Sequence, residues 1–195
     1  MTQPDADHVD LPATARAVLG ILSFGEEMTG YDVKRWADQS LAYFYWAPSH
    51  SQIYAELRRL EKLGLATSRI QNTHEAKSRR LYAITAAGMA AMAAWSDAPV
   101  LEPVILKNPL VMRLWAAHNG DRSRLLDLFA AHRDDARTRA ERAAAHGRRA
   151  AEVESWRFAA LSSEWSARFW AEEADRIEWM RQRLEEQLRA EGGSA

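Results

Sequence analysis

A mainly α-helical fold with one small β hairpin, in two units that meet near residue 100, is what this sequence predicts. Apolar residues recur at helical spacing through most of the 195 residues. Two short strand-like segments stand between residues 65 and 84, and Pro99 and Pro103 then interrupt the chain. With 47% hydrophobic and 27% charged residues, the composition is that of a soluble globular protein rather than a disordered one. A formal charge of -1 excludes a uniformly basic nucleic-acid coat but leaves room for a local basic patch. The lack of cysteine excludes a disulfide scaffold, a thiolate zinc site and a cysteine nucleophile, and fits a reducing cytoplasm, the expected location. No run of about 20 apolar residues exists, since the alanine-rich stretch 83–95 is broken by Thr85 and Gly88, so no membrane span is expected. Residues 1–10, with three aspartates and no apolar core, read as a flexible tail, as do residues 191–195.

The first helix is expected over Ala13 to Phe24, where Ala15, Val18, Leu19 and Leu22 recur behind Pro12 and Gly25 stops the run. Thr29 then caps a second helix from Gly30 to about Ser40, with Tyr31 and Trp36 as core contacts and Lys34 and Arg35 in solvent. The stretch Leu41 to Pro48 is aromatic-rich and irregular. Pro48 disfavours a helical Ala47, Ser49 caps a third helix running to Leu63, and Gly64 ends it.

In that third helix Ile53, Leu57, Leu60 and Leu63 make one apolar stripe, leaving Ser51, Gln52, Ala55, Arg59 and Lys62 opposite. The polar face is small at its start and basic further along. That order suits a recognition helix, whose first side chains meet base edges while later cations meet phosphates. Taken alone it suits a solvated amphipathic helix better, so its surroundings have to decide. Leu65 to Ile70 and Arg80 to Ile84 form a hairpin joined by the polar stretch Gln71 to Arg79. From Ser49 to Thr85 seven Lys or Arg (Arg58, Arg59, Lys62, Arg69, Lys77, Arg79, Arg80) stand against three acids. A basic hairpin directly behind a polar-to-basic helix favours DNA contact over a solvated face.

The run from Ser49-His50-Ser51-Gln52-Ile53-Tyr54 through Leu63-Gly64-Leu65, followed by Arg79-Arg80-Leu81-Tyr82 through Gly88, resembles the winged helix-turn-helix of the PadR family of bacterial transcriptional regulators. Leu19-Gly20-Ile21-Leu22 and Thr29-Gly30-Tyr31-Asp32-Val33 fit the same pattern. The resemblance covers about residues 11–99; the helical remainder is similar in layout to the larger-tailed branch of the family. It implies a winged helix DNA-binding domain over 11–99 and a helical dimerisation and effector domain over 100–190. It also implies a homodimeric repressor on an inverted-repeat operator, with the third helix in the major groove and the hairpin as a wing near the backbone or minor groove. Carried over by position, Ser51, Gln52 and Tyr54 fall at the helix-start DNA contacts, with Ser49 as their cap, and Lys77, Arg79 and Arg80 fall in the wing. Gln52 has an amide able to bond an adenine edge at two points, and the Ser51 hydroxyl reaches a phosphate or a base. Arg58, Arg59 and Lys62 add sequence-independent attraction. Tyr54 has two readings: a DNA contact through its hydroxyl, or a ring packed on the helix bundle.

Before the boundary an alanine-rich helix, Thr85 to about Asp97, carries Met89, Met92 and Trp95, and Pro99 and Pro103 then break the chain. A helix from about Asn108 to His118, a long one from Asp121 to about Val153 and a last one from about Ser155 to Arg189 follow. Residues 133–152 have few large apolar side chains and are expected to project or lie exposed. The last helix carries a stripe of Trp170, Ala174, Ile177, Leu184 and Leu188, with Phe169 and Met180 beside it. Leu110, Leu114 and Trp115 and a second chain are its expected partners. Trp95, Trp115 and Trp165 are candidate ligands for a small aromatic effector, against the alternative that they are core or dimer interface. Trp95 matches the approximate location of an interface tryptophan that stacks on drugs in shorter members of the resembled family.

No phosphate-binding glycine loop, Gly-x-Ser-x-Gly turn or metal-ligand spacing of histidine and carboxylate is present, so no enzyme, no cofactor and no metal is expected. The function expected is sequence-specific DNA binding as a homodimer, with double-stranded DNA as partner and a small aromatic effector releasing it. A protein-interaction module, or a small-molecule sensor without DNA binding, is the alternative.

Overall fold

The structure is a computed structural model that describes residues 10–72, 78–99, 101 and 103–192. Contacts divide it into two compact units, residues 1–102 and 103–195. In the first, α1 (Ala13–Leu22), α2 (Gly30–Gln39) and α3 (His50–Lys62) precede β1 (Ala66–Asn72), β2 (Ser78–Ile84) and α4 (Ala86–Ser96). Val18, Leu19 and Leu22 of α1, Val33 and Ala37 of α2, and Ile53, Leu57 and Leu60 of α3 form one core under Leu65, Ala66 and Tyr82. Thr29 caps α2 in a reciprocal box: its hydroxyl accepts from Asp32 N at 3.1 Å, and Asp32 Oδ2 accepts from Thr29 N at 3.1 Å.

Two apolar residues assigned to this core by spacing lie outside it. Tyr31 is 63% exposed, because Gly30, Val33 and Ala37 are the residues of α2 that turn inward. Leu63 is 49% exposed because it is the C-terminal cap of α3, beyond the last inward turn.

β1 and β2 pair antiparallel from Ala66 with Ile84 to Asn72 with Ser78, so the ladder runs two residues further into the polar tip than side-chain type suggested. Backbone pairing needs no apolar side chain, and the outer half of both strands is exposed. Met28 adds a bridge to Tyr82 on the other edge of β2. The hairpin is anchored at its root. Gly64 turns the chain out of α3 at φ +72, Thr85 Oγ1 donates to Gly64 O at 2.7 Å, and Gly88 sits where a Cβ would fall 2.2 Å from Leu65 O.

The second unit holds α5 (Pro109–Trp115), α6 (Arg122–Ala150) and α7 (Arg157–Gly192). The residues of 133–152 do not project: Ala136, Ala143, Gly147 and Ala150 are buried along α7. Lacking large side chains, this stretch buries itself by close approach, and a Cβ on Gly147 would lie 3.3 Å from that of Ser163. Ser163 and Ser166, buried in the same seam, donate to Ala159 O and Ser162 O of their own helix. Further along, Leu110, Leu125, Phe129, Ala174, Ile177 and Leu184 make the second core. The main partner of the α7 stripe is therefore α6. Trp115, expected in that core, is 74% exposed. No helix among the described residues is long and apolar enough to cross a membrane.

Glu178 ties α6 to α7. It accepts from Arg181 at 2.7 and 3.1 Å and from Arg133 of α6 at 2.8 Å, and these bonds, Arg181 first, hold its carboxyl at about 2. A depressed carboxyl contributes stability above its ordinary value of 4.5, and that stability is lost as pH falls from there toward about 2. Glu178→Gln is expected to lower the melting temperature of this unit at neutral pH and to flatten its fall between those limits. Circular dichroism melts across that range check it.

Candidate nucleic-acid interface

The side chains that sequence reasoning placed against DNA stand on the surface of the first unit: Ser49, Ser51, Gln52, Tyr54, Arg58, Arg59, Arg79 and Arg80 are all exposed. Lys77 lies outside the described residues. The core stripe of α3 places Ser51, Gln52, Ala55, Arg59 and Lys62 outward, as a face of small polar groups followed by cations.

The cap of α3 assigns distinct roles at its first turn. Ser49 Oγ accepts from Gln52 N at 3.3 Å and lies 3.0 Å from Ser51 Oγ, while Gln52 Oε1 accepts from Ser49 N at 2.8 Å. This is a capping box with glutamine at its third position. The Gln52 carbonyl gives one of its two lone pairs to the cap, so an adenine amino group would have to share that oxygen with Ser49 N. The amide nitrogen keeps its two donors for an acceptor such as guanine O6 or N7, thymine O4 or a phosphate oxygen. The Ser49 hydroxyl is committed to the cap, whereas Ser51 shares only one bond.

Tyr54 packs its ring on α2, where a Cβ at Gly30 would meet Tyr54 Cε1 at 2.5 Å. Glycine at position 30 makes room for the ring, which favours the packed reading of Tyr54.

The cations divide likewise. Arg59 pairs with Glu56 at 3.1 Å on its own helix. Arg69 is held by Glu27, its Nε donating to both carboxylate oxygens at 2.8 and 3.1 Å and its Nη2 to Oε2. Hydrogen bonds from Arg69 hold the Glu27 carboxyl below its usual range. Glu27 was missed by sequence reasoning because 42 residues separate it from its partner and no local pattern joins them. Among the described residues Arg58, Lys62, Arg79 and Arg80 have no carboxylate partner within ion-pair distance, and these are the cations left for phosphates.

Of the three tryptophans nominated for an effector, Trp115 and Trp165 belong to the second unit. Trp95 belongs to the first unit, where the Arg16 guanidinium lies 5.1 Å over its ring. In the second unit Trp165 stacks on Phe169 at 5.3 Å. A pocket of about 290 Å³ there is lined by Arg113, Asp121, Arg124, Leu125 and Leu128 among others, with neither Trp115 nor Trp165 in its wall.

Comparison with known proteins agrees with the fold. Residues 18–94 match the Transcriptional regulator PadR-like family. The negative transcriptional regulator PadR of Bacillus subtilis (strain 168) is 29% identical over 113 residues, which cover 58% of this chain and 61% of that protein. The crystal structure of Bacillus subtilis PadR in complex with operator DNA superposes with a TM-score of 0.73 at 21% identity, over 89% of this chain and 99% of that one. The same protein in complex with p-coumaric acid matches with a TM-score of 0.65 at 21% identity, over 89% and 99%. The PadR-like transcriptional regulator BC1756 of Bacillus cereus gives a TM-score of 0.72 at 20% identity, over 90% and 98%. Likeness at these identities establishes a winged helix architecture with long C-terminal helices.

Proposed function

From the premise that residues 18–94 of this chain are a PadR-like regulator domain, we propose that it is a sequence-specific DNA-binding transcriptional repressor acting as a homodimer on an inverted-repeat operator. The observation that carries the reading is the exposed first turn of α3 in the same unit as Arg79 and Arg80 of β2, which are exposed and form no ion pair among the described residues. Small polar groups lead and cations flank, the arrangement in which base edges are read while phosphates fix register. Its relative solved on operator DNA supports the partner class.

A two-fold dimer sets two such heads about 34 Å apart, or a multiple of that, to reach one face of a duplex. The support for pairing lies on α7, whose Phe158, Leu161, Trp165 and Trp179 are exposed although the helix buries its other side. An aromatic effector that favours one spacing of the heads releases the operator by population shift. The Bacillus subtilis relative solved with p-coumaric acid supports that ligand class.

The test is fluorescence anisotropy on the intergenic DNA beside the protein's own gene and on random duplex of equal length. Specific binding is expected to be tighter by about 10³-fold or more at moderate salt. Equal affinity for both duplexes refutes the proposal.

A further inference from the structure

Beside the recognition turn stands a pair of side chains that neither the core nor the cap explains. Tyr31, in the first turn of α2, and His50, the first residue of α3, stack with ring centroids 6.2 Å apart and planes inclined by 19°. Both are exposed, Tyr31 more than any other tyrosine in the described residues. Their caps leave them free of local duties, because Thr29 and Asp32 close one helix and Ser49 and Gln52 the other.

The position of the pair is set by what surrounds it. His50 directly precedes Ser51 and Gln52 in sequence and stands one turn before Tyr54, on the flank of α3 that meets α2. On the α2 side, Asp32 pairs with Arg35 at 3.1 Å, and its carboxyl is lowered by the Thr29 hydroxyl first and in smaller part by the charges of Arg35 and Arg79. Arg79 belongs to β2. The start of α2 therefore lies within the field of Arg79, and the stacked pair stands at the first turns of α2 and α3.

We propose that Tyr31 and His50 form a clamp for the sugar-phosphate backbone of the bound duplex, a DNA contact additional to α3 and the wing. The Tyr31 hydroxyl and a His50 ring N–H donate to phosphate oxygens, and the stacked rings present a flat apolar side to the adjoining deoxyribose. Backbone contacts carry no sequence information but fix register. The clamp pins the end of α3 that carries Ser51 and Gln52, where a small displacement moves both off their base edges.

The inference rests on the DNA-binding reading, and its test separates the two. Affinity of the full-length protein is measured by anisotropy for the intergenic duplex and for random duplex, with wild type, Tyr31→Ala, Tyr31→Phe, His50→Ala and His50→Lys. Because both side chains are exposed, melting temperatures are expected to stay at the wild-type value, which checks folding. Tyr31→Ala and His50→Ala are each expected to weaken both duplexes by a similar factor, about five-fold or more, leaving the preference between them unchanged. Tyr31→Phe, which keeps the stack and removes the donor, is expected to lose a smaller part, and His50→Lys to restore binding. Alanine variants that bind both duplexes as wild type does overturn the clamp, and so does a loss confined to the intergenic duplex, which marks base reading instead. A wild-type protein without preference for the intergenic duplex removes the DNA-binding reading and the clamp with it.

Discussion

Gln52→Glu is expected to keep the fold and lose the operator. A serine cap followed three residues later by glutamate is the commonest form of the box that Ser49 and Gln52 make, and the carboxylate also favours the positive end of the helix. The cap bond from Ser49 N, 2.8 Å long, is retained by a carboxylate oxygen. What disappears is the Nε2 donor pair, replaced by an acceptor-only group bearing negative charge in front of a polyanion. Loss of a base contact alone costs about 1–3 kcal/mol, and repulsion adds to it, so specific affinity is expected to fall by about 100-fold with melting temperature unchanged or raised. Gln52→Ala breaks the cap as well, so it combines a stability loss of about 1 kcal/mol with a milder loss of affinity. Anisotropy with both duplexes, alongside thermal melts, tells them apart. Unchanged operator affinity in Gln52→Glu excludes Gln52 from the interface.

That distinction shows how far the sequence could be read. Ser49 as a cap, the outward set from Ser51 to Lys62 and the basic hairpin were legible, because each depends on spacing within one element. The cap bond of the Gln52 carbonyl was not: a capping box and a base-reading amide put the same residue at the same position, and only atomic geometry shows the bond to Ser49 N. Tyr31 misled for a related reason. An aromatic in the first turn of a helix reads as core by composition, yet the inward side of α2 was already filled by Gly30, Val33 and Ala37. The long pairing of Arg69 with Glu27 left no local trace. In the second unit the stripe on α7 was visible but its partner was not, because helix pairing through Ala136, Ala143 and Gly147 leaves no large apolar residues to see. Small residues bury little area each, and their signature is closeness of approach.

Leu161→Asp is expected to convert the protein to a monomer and to abolish tight operator binding together. Phe158, Leu161 and Trp165 recur at i, i+3 and i+7 on α7, with 70%, 62% and 55% of their surface exposed. The opposite side of the same helix already meets α6 through Ser163, Ser166, Ala174 and Ile177, so the exposed stripe is spare for the intrachain fold. A helix of 36 residues is about 54 Å long, and α6, with 29 residues, covers one side of it. An aspartate at position 161 replaces an exposed side chain, costs the monomer little packing, and places a charge at the centre of any interface that buries the stripe. Light scattering is expected to give twice the chain mass of 22.1 kDa for wild type and the chain mass for the variant. A single head then grips a single half-site. Losing the second, tethered contact is expected to weaken operator binding by about 10²- to 10⁴-fold while leaving the weak affinity of each head for its half-site in place. If Leu161→Asp and Trp165→Glu both remain dimers with full operator affinity, pairing uses another surface. If both become monomers that still hold the operator as tightly as wild type, recognition does not need two heads, and the inverted-repeat reading falls with the dimer.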